Sequence, residues 1–278
     1  MEIANLKNLP IGVFDSGVGG LTVAREIMRQ IPNERIVYFG DTARVPYGSK
    51  SKETVTKYSR QIVRFLETQN VKAIVIACNT ASAYALEQIE KEIKVPIIGV
   101  VKPGAVTAAR ATQNGKVGVI ATEGTIQSEI YTQYIKELKQ DAKVIGKACP
   151  LFVPLVENGF VDADDPIPRL TAERYLAPIK ESGADTLILG CTHYPLLSAV
   201  ISAVLPDVTL IDTGYEAAQS LAKLLSEREM QTPSASPGTS RFYVSDEPQG
   251  FAHAASRFLG LSENEPLPTV ERVNIAAY

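Results

Sequence analysis

The sequence predicts an α/β protein in which two pseudo-symmetric α/β domains, with mostly parallel sheets, enclose a site between them. Two observations carry this prediction. Strand-like and helix-like segments alternate along the 278 residues, and two matching segments each end at a cysteine. Such alternation is typical of parallel sheets, because helices connect their strands. The length also allows two domains.

The two cysteine segments are residues 71–81 and 184–194. In each, an aliphatic run reaches a small residue, then Cys78 or Cys191, then short polar residues. A buried strand that ends at a cysteine places the thiol at the carboxyl edge of a sheet, where open α/β folds bind ligands. Two such thiols predict a pocket with one thiol on each side.

A second pair of matching segments strengthens the repeat. Residues 11–22 and 117–126 both read as a strand, a small polar loop and a helix. Each half therefore has a hydroxyl-bearing loop early and a cysteine late. Such halves can pack about a pseudo-two-fold axis with their loops facing each other. Strand–loop–helix repetition is general in α/β proteins, but it does not explain a cysteine at the same point in both halves.

The first predicted domain combines residues 1–100 with residues 212–278. Hydrophobic runs and periodicity predict its elements. The strands are expected at 10–15, 35–40, 71–78, 96–100, 241–244 and 269–273, and the helices at 21–30, 52–70, 81–91, 217–226 and 249–259.

The second predicted domain spans residues 101–211. Residues 101–104 contain proline and glycine and are interpreted as the crossover into it. The strands are expected at 116–121, 142–148, 185–190 and 207–213, and the helices at 126–139, 170–182 and 196–205.

Composition excludes several classes of function. The net charge is −3 and no basic run occurs, which argues against nucleic acid as a main partner. No apolar stretch approaches the ~20 residues that span a bilayer. Residues 1–10 lack the apolar core of a signal peptide, so we expect a cytoplasmic protein. An odd cysteine count of three disfavours a structural disulfide there.

Cofactor and metal signals are also weak. There is no Cys-x-x-Cys pair and there are two histidines, His193 and His253, which disfavours a zinc site. The glycine turn at residues 17–20 lacks the Gly-x-Gly-x-x-Gly spacing, and no phosphate-loop motif occurs. We therefore expect no cofactor, and a turn whose amides approach a small anion such as a carboxylate.

Five side chains are candidates for chemistry. Cys78 and Cys191 precede predicted helices, whose N-terminal ends are expected to lower the thiol pKa. Asp15 either caps the next helix or orients a thiol or a substrate amine. His193 either fills a loop or acts as a base beside Cys191. Glu157 is a carboxylate in an apolar segment. Cys149 reads as a small buried hydrophobe.

Five segments in order, residues 14–22, 40–44, 46–48, 77–81 and 190–196, resemble the aspartate/glutamate racemase family of cofactor-independent enzymes. The similarity extends over nearly the whole chain. The histidine that follows Cys191 and Thr192 resembles the pattern of the members that act on glutamate.

This resemblance implies a two-base racemisation of free glutamate, with Cys78 and Cys191 on opposite faces of Cα. Asp15 would assist Cys78, and His193 with Glu157 would assist Cys191. The product, D-glutamate, would supply peptidoglycan synthesis. The resemblance leaves a homodimer open. It implies substrate contacts from Asp15, Ser16, Tyr47, Gly48, Asn79, Thr80, Thr192 and His193.

Two alternatives stay open at the level of sequence. One is a related racemase that acts on aspartate, which differs from glutamate in side-chain length. The other is a cysteine-based metal or redox binding protein, which metal analysis and thiol titration would identify.

Overall fold

A computed structural model describes residues 6–233, 239–262, 265–266 and 268–278. Its strands are β1 (Ile11–Asp15), β2 (Ile36–Gly40), β3 (Ala73–Ile76), β4 (Ile97–Gly99), β5 (Lys116–Ala121), β6 (Lys143–Ala148), β7 (Thr186–Gly190), β8 (Thr209–Asp212), β9 (Arg241–Val244) and β10 (Val270–Arg272). Its helices are α1 (Leu21–Gln30), α2 (Lys52–Thr68), α3 (Asn79–Ile89), α4 (Val101–Ala111), α5 (Glu123–Gln127), α6 (Ile130–Leu138), α7 (Phe152–Glu157), α8 (Pro166–Ser182), α9 (Ser198–Val204), α10 (Thr213–Glu227) and α11 (Pro248–Leu259). Short 3₁₀ turns occupy Thr42–Arg44, Tyr194–Leu197 and Ile275–Ala277.

The strands form two sheets, and every pairing is parallel. The first has the order β10-β9-β2-β1-β3-β4 and the second has the order β6-β5-β7-β8. The predicted α/β class with two parallel sheets is therefore confirmed. The strands of the first sheet come from both ends of the chain. The domain boundaries at residues 100–101 and 211–212 stay a prediction.

The internal repeat appears in the topology. Four strands of the first sheet, β2-β1-β3-β4, have the same relative order as β6-β5-β7-β8 in the second. The strand that leads to the early loop, β1 or β5, is thus the neighbour of the strand that leads to the cysteine, β3 or β7. Because the pairs are parallel, each loop and its cysteine lie at one carboxyl edge.

The strands form because their aliphatic runs are buried on both faces by helices. Every residue of β1, β2, β3 and β7 is buried. This burial explains why they read as continuous hydrophobic runs rather than alternating ones. Helix α10 packs against both α1 and α4 and shares a hydrophobic cluster with α1, so it joins the two sheets. No helix in the described ranges has the length and apolar character needed to cross a bilayer.

Residues 101–104, interpreted as the crossover into the second domain, form the first turn of α4, the helix that connects β4 of the first sheet to β5 of the second. Proline is tolerated there because the first N–H groups of a helix have no partner within the helix. Gly104 has a packing role, because a Cβ at this position would lie 2.7 Å from Cγ2 of Thr213.

Two helix predictions differ from the structure, and one helix was not predicted. The helix expected at 126–139 is divided into α5 and α6 at Glu129, whose φ of 54° is left-handed. The helix expected at 196–205 begins with a 3₁₀ turn that contains Pro195. The apolar segment around Glu157 is a helix, α7, with Pro154 in its first turn.

A buried ion pair lies at the amino edge of the first sheet, just before β2 and β3. Nζ of Lys72 lies 2.6 Å from Oε2 of Glu34, and neither side chain is appreciably exposed. Lys72 also donates to the carbonyls of Lys7 and Met230 and to Thr232. It therefore ties the start of the described chain to the segment after α10.

We expect Lys72→Met to lower the free energy of unfolding by about 3 kcal/mol, because Glu34 would stay buried without its cation. The control is Lys91→Met, which removes a pair with Glu87 whose side chains are both exposed. It should leave the free energy of unfolding unchanged. Urea denaturation measures both values, and equal effects of the two substitutions would contradict the prediction.

Candidate active site

A cavity of about 350 Å³ lies between the carboxyl edges of the two sheets. This volume lies in the range of small-molecule sites. Asp15 does not line it, but lies buried behind Ser16 and Gly17. The other predicted site residues all line it, namely Ser16, Tyr47, Gly48, Cys78, Asn79, Thr80, Glu157, Cys191, Thr192 and His193.

Cys78 is the N-cap residue of α3. Its Sγ accepts a hydrogen bond from the backbone N–H of Ala81 at 3.5 Å and lies 3.8 Å from Oγ of Ser16. The structure thus places the hydroxyl of Ser16, not the carboxylate of Asp15, within hydrogen-bond distance of this thiol. The strand order explains the contact, because β1 and β3 are neighbours.

The expected lowering of the thiol pKa does not hold for Cys78. Burial, reinforced by the charge of Asp15, raises the pKa of Cys78 to about 12, and the hydrogen bonds from Ala81 and Ser16 offset only part of this. The solvation free energy that a thiolate loses on burial is larger than the stabilisation that one helix N-terminus provides. Cys78 is therefore a protonated thiol at neutral pH, and its thiolate would be a strong base.

Cys191 follows β7 and stands next to an imidazole. Its Sγ lies 3.8 Å from Nδ1 of His193, whose Nε2 lies 3.1 Å from Oε1 of Glu157. Cys191 and His193 are buried, whereas the Glu157 carboxylate at the end of α7 is half-exposed. The three side chains form a relay from the thiol to the surface.

The charge state of His193 follows from this relay. Burial alone lowers its pKa, but the hydrogen bonds with Cys191 and Glu157, helped by the charges of Cys191 and Asp15, outweigh burial and raise the pKa of His193 to about 10. His193 is therefore a cation at neutral pH.

The ring of His193 is held on two sides. Phe258 of α11 packs edge-on against it, with centroids 5.2 Å apart. On the other side lies Gly19, where a Cβ would come within 2.4 Å of Cε1 of His193. Only glycine allows this approach, which gives the predicted glycine turn a function in packing.

Asp15 ends β1 and is almost fully buried. Its Oδ2 accepts the N–H of Gly17 at 3.0 Å, while Oδ1 has no hydrogen-bond partner among the described residues. Burial raises the pKa of Asp15, and the charge of His193 opposes that shift. Asp15 thus interacts electrostatically with both Cys78 and His193.

The loop before α2 forms one wall of the cavity. The Tyr47 hydroxyl donates a hydrogen bond to the Asp41 carboxylate. This carboxylate also accepts hydrogen bonds from Nε of Arg44 and from the hydroxyl of Ser245. The phenol group of Tyr47 is therefore engaged in holding the loop. Gly48 lies against Thr122, where a Cβ would meet Thr122 Cβ at 2.7 Å. This loop thus contacts the second half of the chain.

Two further cavity residues have backbone carbonyls that accept a hydrogen bond from a hydroxyl elsewhere in the fold. The carbonyl of Thr192 accepts the hydroxyl of Thr22 at 2.8 Å. Sγ of Cys149 lies 3.6 Å from the carbonyl of Lys147, and the Cys149 carbonyl accepts the Tyr194 hydroxyl. Burial raises the pKa of Cys149 to about 12, which agrees with its interpretation as a buried hydrophobe. In the part of the chain that the structure describes, no cluster of three or more His, Cys, Asp or Glu side chains could hold a metal ion.

Comparison with known proteins decides the family. A family model described as Asp/Glu/hydantoin racemase matches residues 11–221. The chain belongs to the aspartate/glutamate racemase family. It is therefore related to isomerases, as the sequence resemblance implied.

Individual members of this racemase family cover almost the whole chain. The glutamate racemase of Geobacter metallireducens is 50% identical over 90% of this chain and 92% of its own length. That of Syntrophus aciditrophicus is 48% identical over 96% and 97%. The crystal structure of glutamate racemase from Francisella tularensis in complex with D-glutamate has a TM-score of 0.89 and 41% identity, covering 98% of this chain and 100% of its own.

Three hydroxyl groups in or near the cavity of this racemase-family site were not predicted from the sequence. The hydroxyls of Thr122 and Thr125 lie 2.8 and 3.2 Å from the hydroxyl of Thr80. The Tyr131 hydroxyl donates to Oδ1 of Asn79. The internal repeat could have indicated Thr122, since its loop matches that of Ser16. No local pattern marks Thr125 or Tyr131.

Proposed function

We propose that this racemase-family chain interconverts L-glutamate and D-glutamate without a cofactor, with Cys78 and Cys191 as the two acid–base groups. The observation that carries the proposal is the position of the two thiols, at the ends of equivalent strands and in the wall of one cavity. The similarity to relatives named glutamate racemase supports glutamate as the substrate.

Two bases suit this reaction because the enantiomers have equal energy in solution and carry the Cα proton on opposite faces. From L-glutamate, the Cys191 thiolate takes the proton, so the Cα–H bond breaks and an S–H bond forms. The Cys78 thiol then delivers its proton to the other face of the carbanion and becomes a thiolate. The reverse reaction exchanges the two roles.

The charges of the site match these roles. Cys78 rests as a protonated thiol, and the His193 cation lies 3.8 Å from Sγ of Cys191. The free chain thus has a proton at Cys78 to donate to the carbanion formed from L-glutamate. After turnover the burial of Cys78 makes its thiolate a strong base.

At the low end of their range, the two acid–base groups do not supply the full acceleration by themselves. Each contributes about 10²–10⁴-fold, and enzymatic accelerations start near 10⁶-fold. Hydrogen-bond donors must also stabilise the negative charge that spreads from Cα into the carboxylate. The amide of Asn79 and the hydroxyls of Thr80, Thr122 and Thr192 are the donors that we propose for substrate, together with Ser16 and the loop at Tyr47 and Gly48.

Racemisation by this chain is expected to need no cofactor. We expect full racemase activity after exhaustive dialysis against a chelator, because the proposed mechanism uses the chain's own thiols. The control is the same protein dialysed without chelator. Activity that disappears on dialysis and returns with a metal ion or pyridoxal phosphate would contradict the proposal.

The deciding experiment is exchange of the Cα proton with deuterated water, measured by NMR for each enantiomer separately. We expect exchange from both D- and L-glutamate and slower exchange from aspartate, whose side chain is one carbon shorter. Faster exchange from aspartate would favour the aspartate racemase alternative. No exchange from either amino acid would favour the cysteine-based binding protein.

The cellular role follows from the product. We propose that the D-glutamate enters peptidoglycan synthesis and that the enzyme acts in the cytoplasm. A strain lacking the gene should then require D-glutamate in its medium, and supply of D-glutamate alone should restore growth and cell shape.

A further inference from the structure

Only one of the two polar atoms of the Asn79 side-chain amide has a hydrogen-bond partner among the described residues. It is the first residue of α3, it lines the cavity, and it is 2% exposed. Its Oδ1 accepts the Tyr131 hydroxyl, whereas its buried Nδ2 has no hydrogen-bond partner among the described residues. A buried N–H₂ group without a partner costs free energy, and a ligand in the cavity that Asn79 lines would supply that partner.

The chemistry of an amino acid restricts what this Nδ2 faces. A free amino diacid has donors only on its ammonium group and acceptors only on its carboxylates. An amide N–H₂ group is a donor, so its partner is a carboxylate oxygen. With the amide turned by 180°, Oδ1 would face the same carboxylate, and attraction would become repulsion. The orientation of this amide therefore matters for binding.

Tyr131 is the group that sets the orientation. It lies on α6, which follows the second sheet's β5, and its hydroxyl reaches across to the first turn of α3. The phenol is buried, and burial raises the pKa of Tyr131, so it stays a donor throughout the working pH range. A hydroxyl that donates its only proton to Oδ1 leaves Nδ2 for the cavity.

We propose that Tyr131 is a positioning residue that holds the Asn79 amide with Nδ2 toward a substrate carboxylate. This inference rests on the proposed function. It gives Tyr131 no contact with the reacting atoms, since it acts through Asn79. It also makes a residue from the second half of the chain part of a contact supplied by the first half.

The test is a double-mutant cycle with D- and L-glutamate as substrates. Tyr131→Phe should lower kcat/KM in both directions by about tenfold to a hundredfold, the loss expected when a hydrogen bond to a charged group is misdirected. In the Asn79→Ala background the same Tyr131→Phe change should alter kcat/KM less than twofold, because no amide remains to be oriented. Such non-additivity is the signature of coupling between the two residues.

The control is Tyr134→Phe on the same helix, whose half-buried ring lies near Lys102 rather than the cavity. It should leave kcat/KM unchanged. Thermal melting of each variant reports any loss of stability.

Three outcomes count against the inference. Full activity in Tyr131→Phe would overturn it while the proposed function stands. An equal loss from Tyr131→Phe with and without Asn79 would show a purely structural role and overturn it too. A wild-type chain that neither binds nor racemises glutamate would overturn the proposed function together with this inference.

Discussion

Replacement of either Cys78 or Cys191 by alanine is expected to abolish racemisation, with a loss of at least about 10³-fold in kcat/KM for both directions. Each variant removes the group that must take or deliver a proton on one face of Cα. Both thiols lie in the wall of the cavity and neither is bonded to another cysteine. Coupled assays with each enantiomer measure the loss.

Cys149→Ala is the matched control, since Cys149 also lines the cavity as a buried free thiol. We expect it to keep most activity, because its thiol has only a backbone carbonyl as partner. Circular dichroism should show all three variants folded. Near-normal racemisation by Cys78→Ala would exclude the two-thiol mechanism.

The second large effect is expected from Asp15→Asn and His193→Asn. A helper tunes the thiol on its own side, so its loss should slow the step in which that thiol acts as base. His193→Asn should mainly impair deuterium incorporation when the reaction starts from L-glutamate. Asp15→Asn should mainly impair it when the reaction starts from D-glutamate. Each loss should be about 10–10²-fold in the affected kcat.

The Haldane relation gives this experiment an internal check. The equilibrium constant is one, so kcat/KM must fall by the same factor in both directions, and only kcat and KM separately show the asymmetry. Asp15 also interacts with His193, so Asp15→Asn should have a smaller effect on exchange from L-glutamate as well. Equal impairment of both exchanges by both variants would contradict the assignment of one helper to each face.

The position of the candidate site could be predicted because the ends of buried strands can be recognised in the sequence. Aliphatic runs that stop at Cys78 and Cys191 mark carboxyl edges, and edges of parallel sheets are where ligands bind. The matching early loops predicted two halves that face each other. The structure shows β1 beside β3 and β5 beside β7, with both thiols at one cavity.

The electrostatics of the site could not be predicted in the same way. The helix start beside Cys78 is local and visible in the sequence, but the burial that dominates its pKa comes from distant parts of the chain. The contact between Tyr131 and Asn79 joins residues 52 positions apart, with no periodic signal. The break at Glu129 was hidden because its flanks have ordinary helical periodicity.

The pairing of β9 with β2 has a consequence for biosynthesis. These strands are neighbours in the first sheet, yet about 200 positions separate Val37 from its partner Arg241. A ribosome therefore releases all four strands of the second sheet before the first sheet gains its last two. Until then β2 presents an unpaired edge, which is a template for association with other chains. The nascent protein thus carries this unpaired edge for most of its translation.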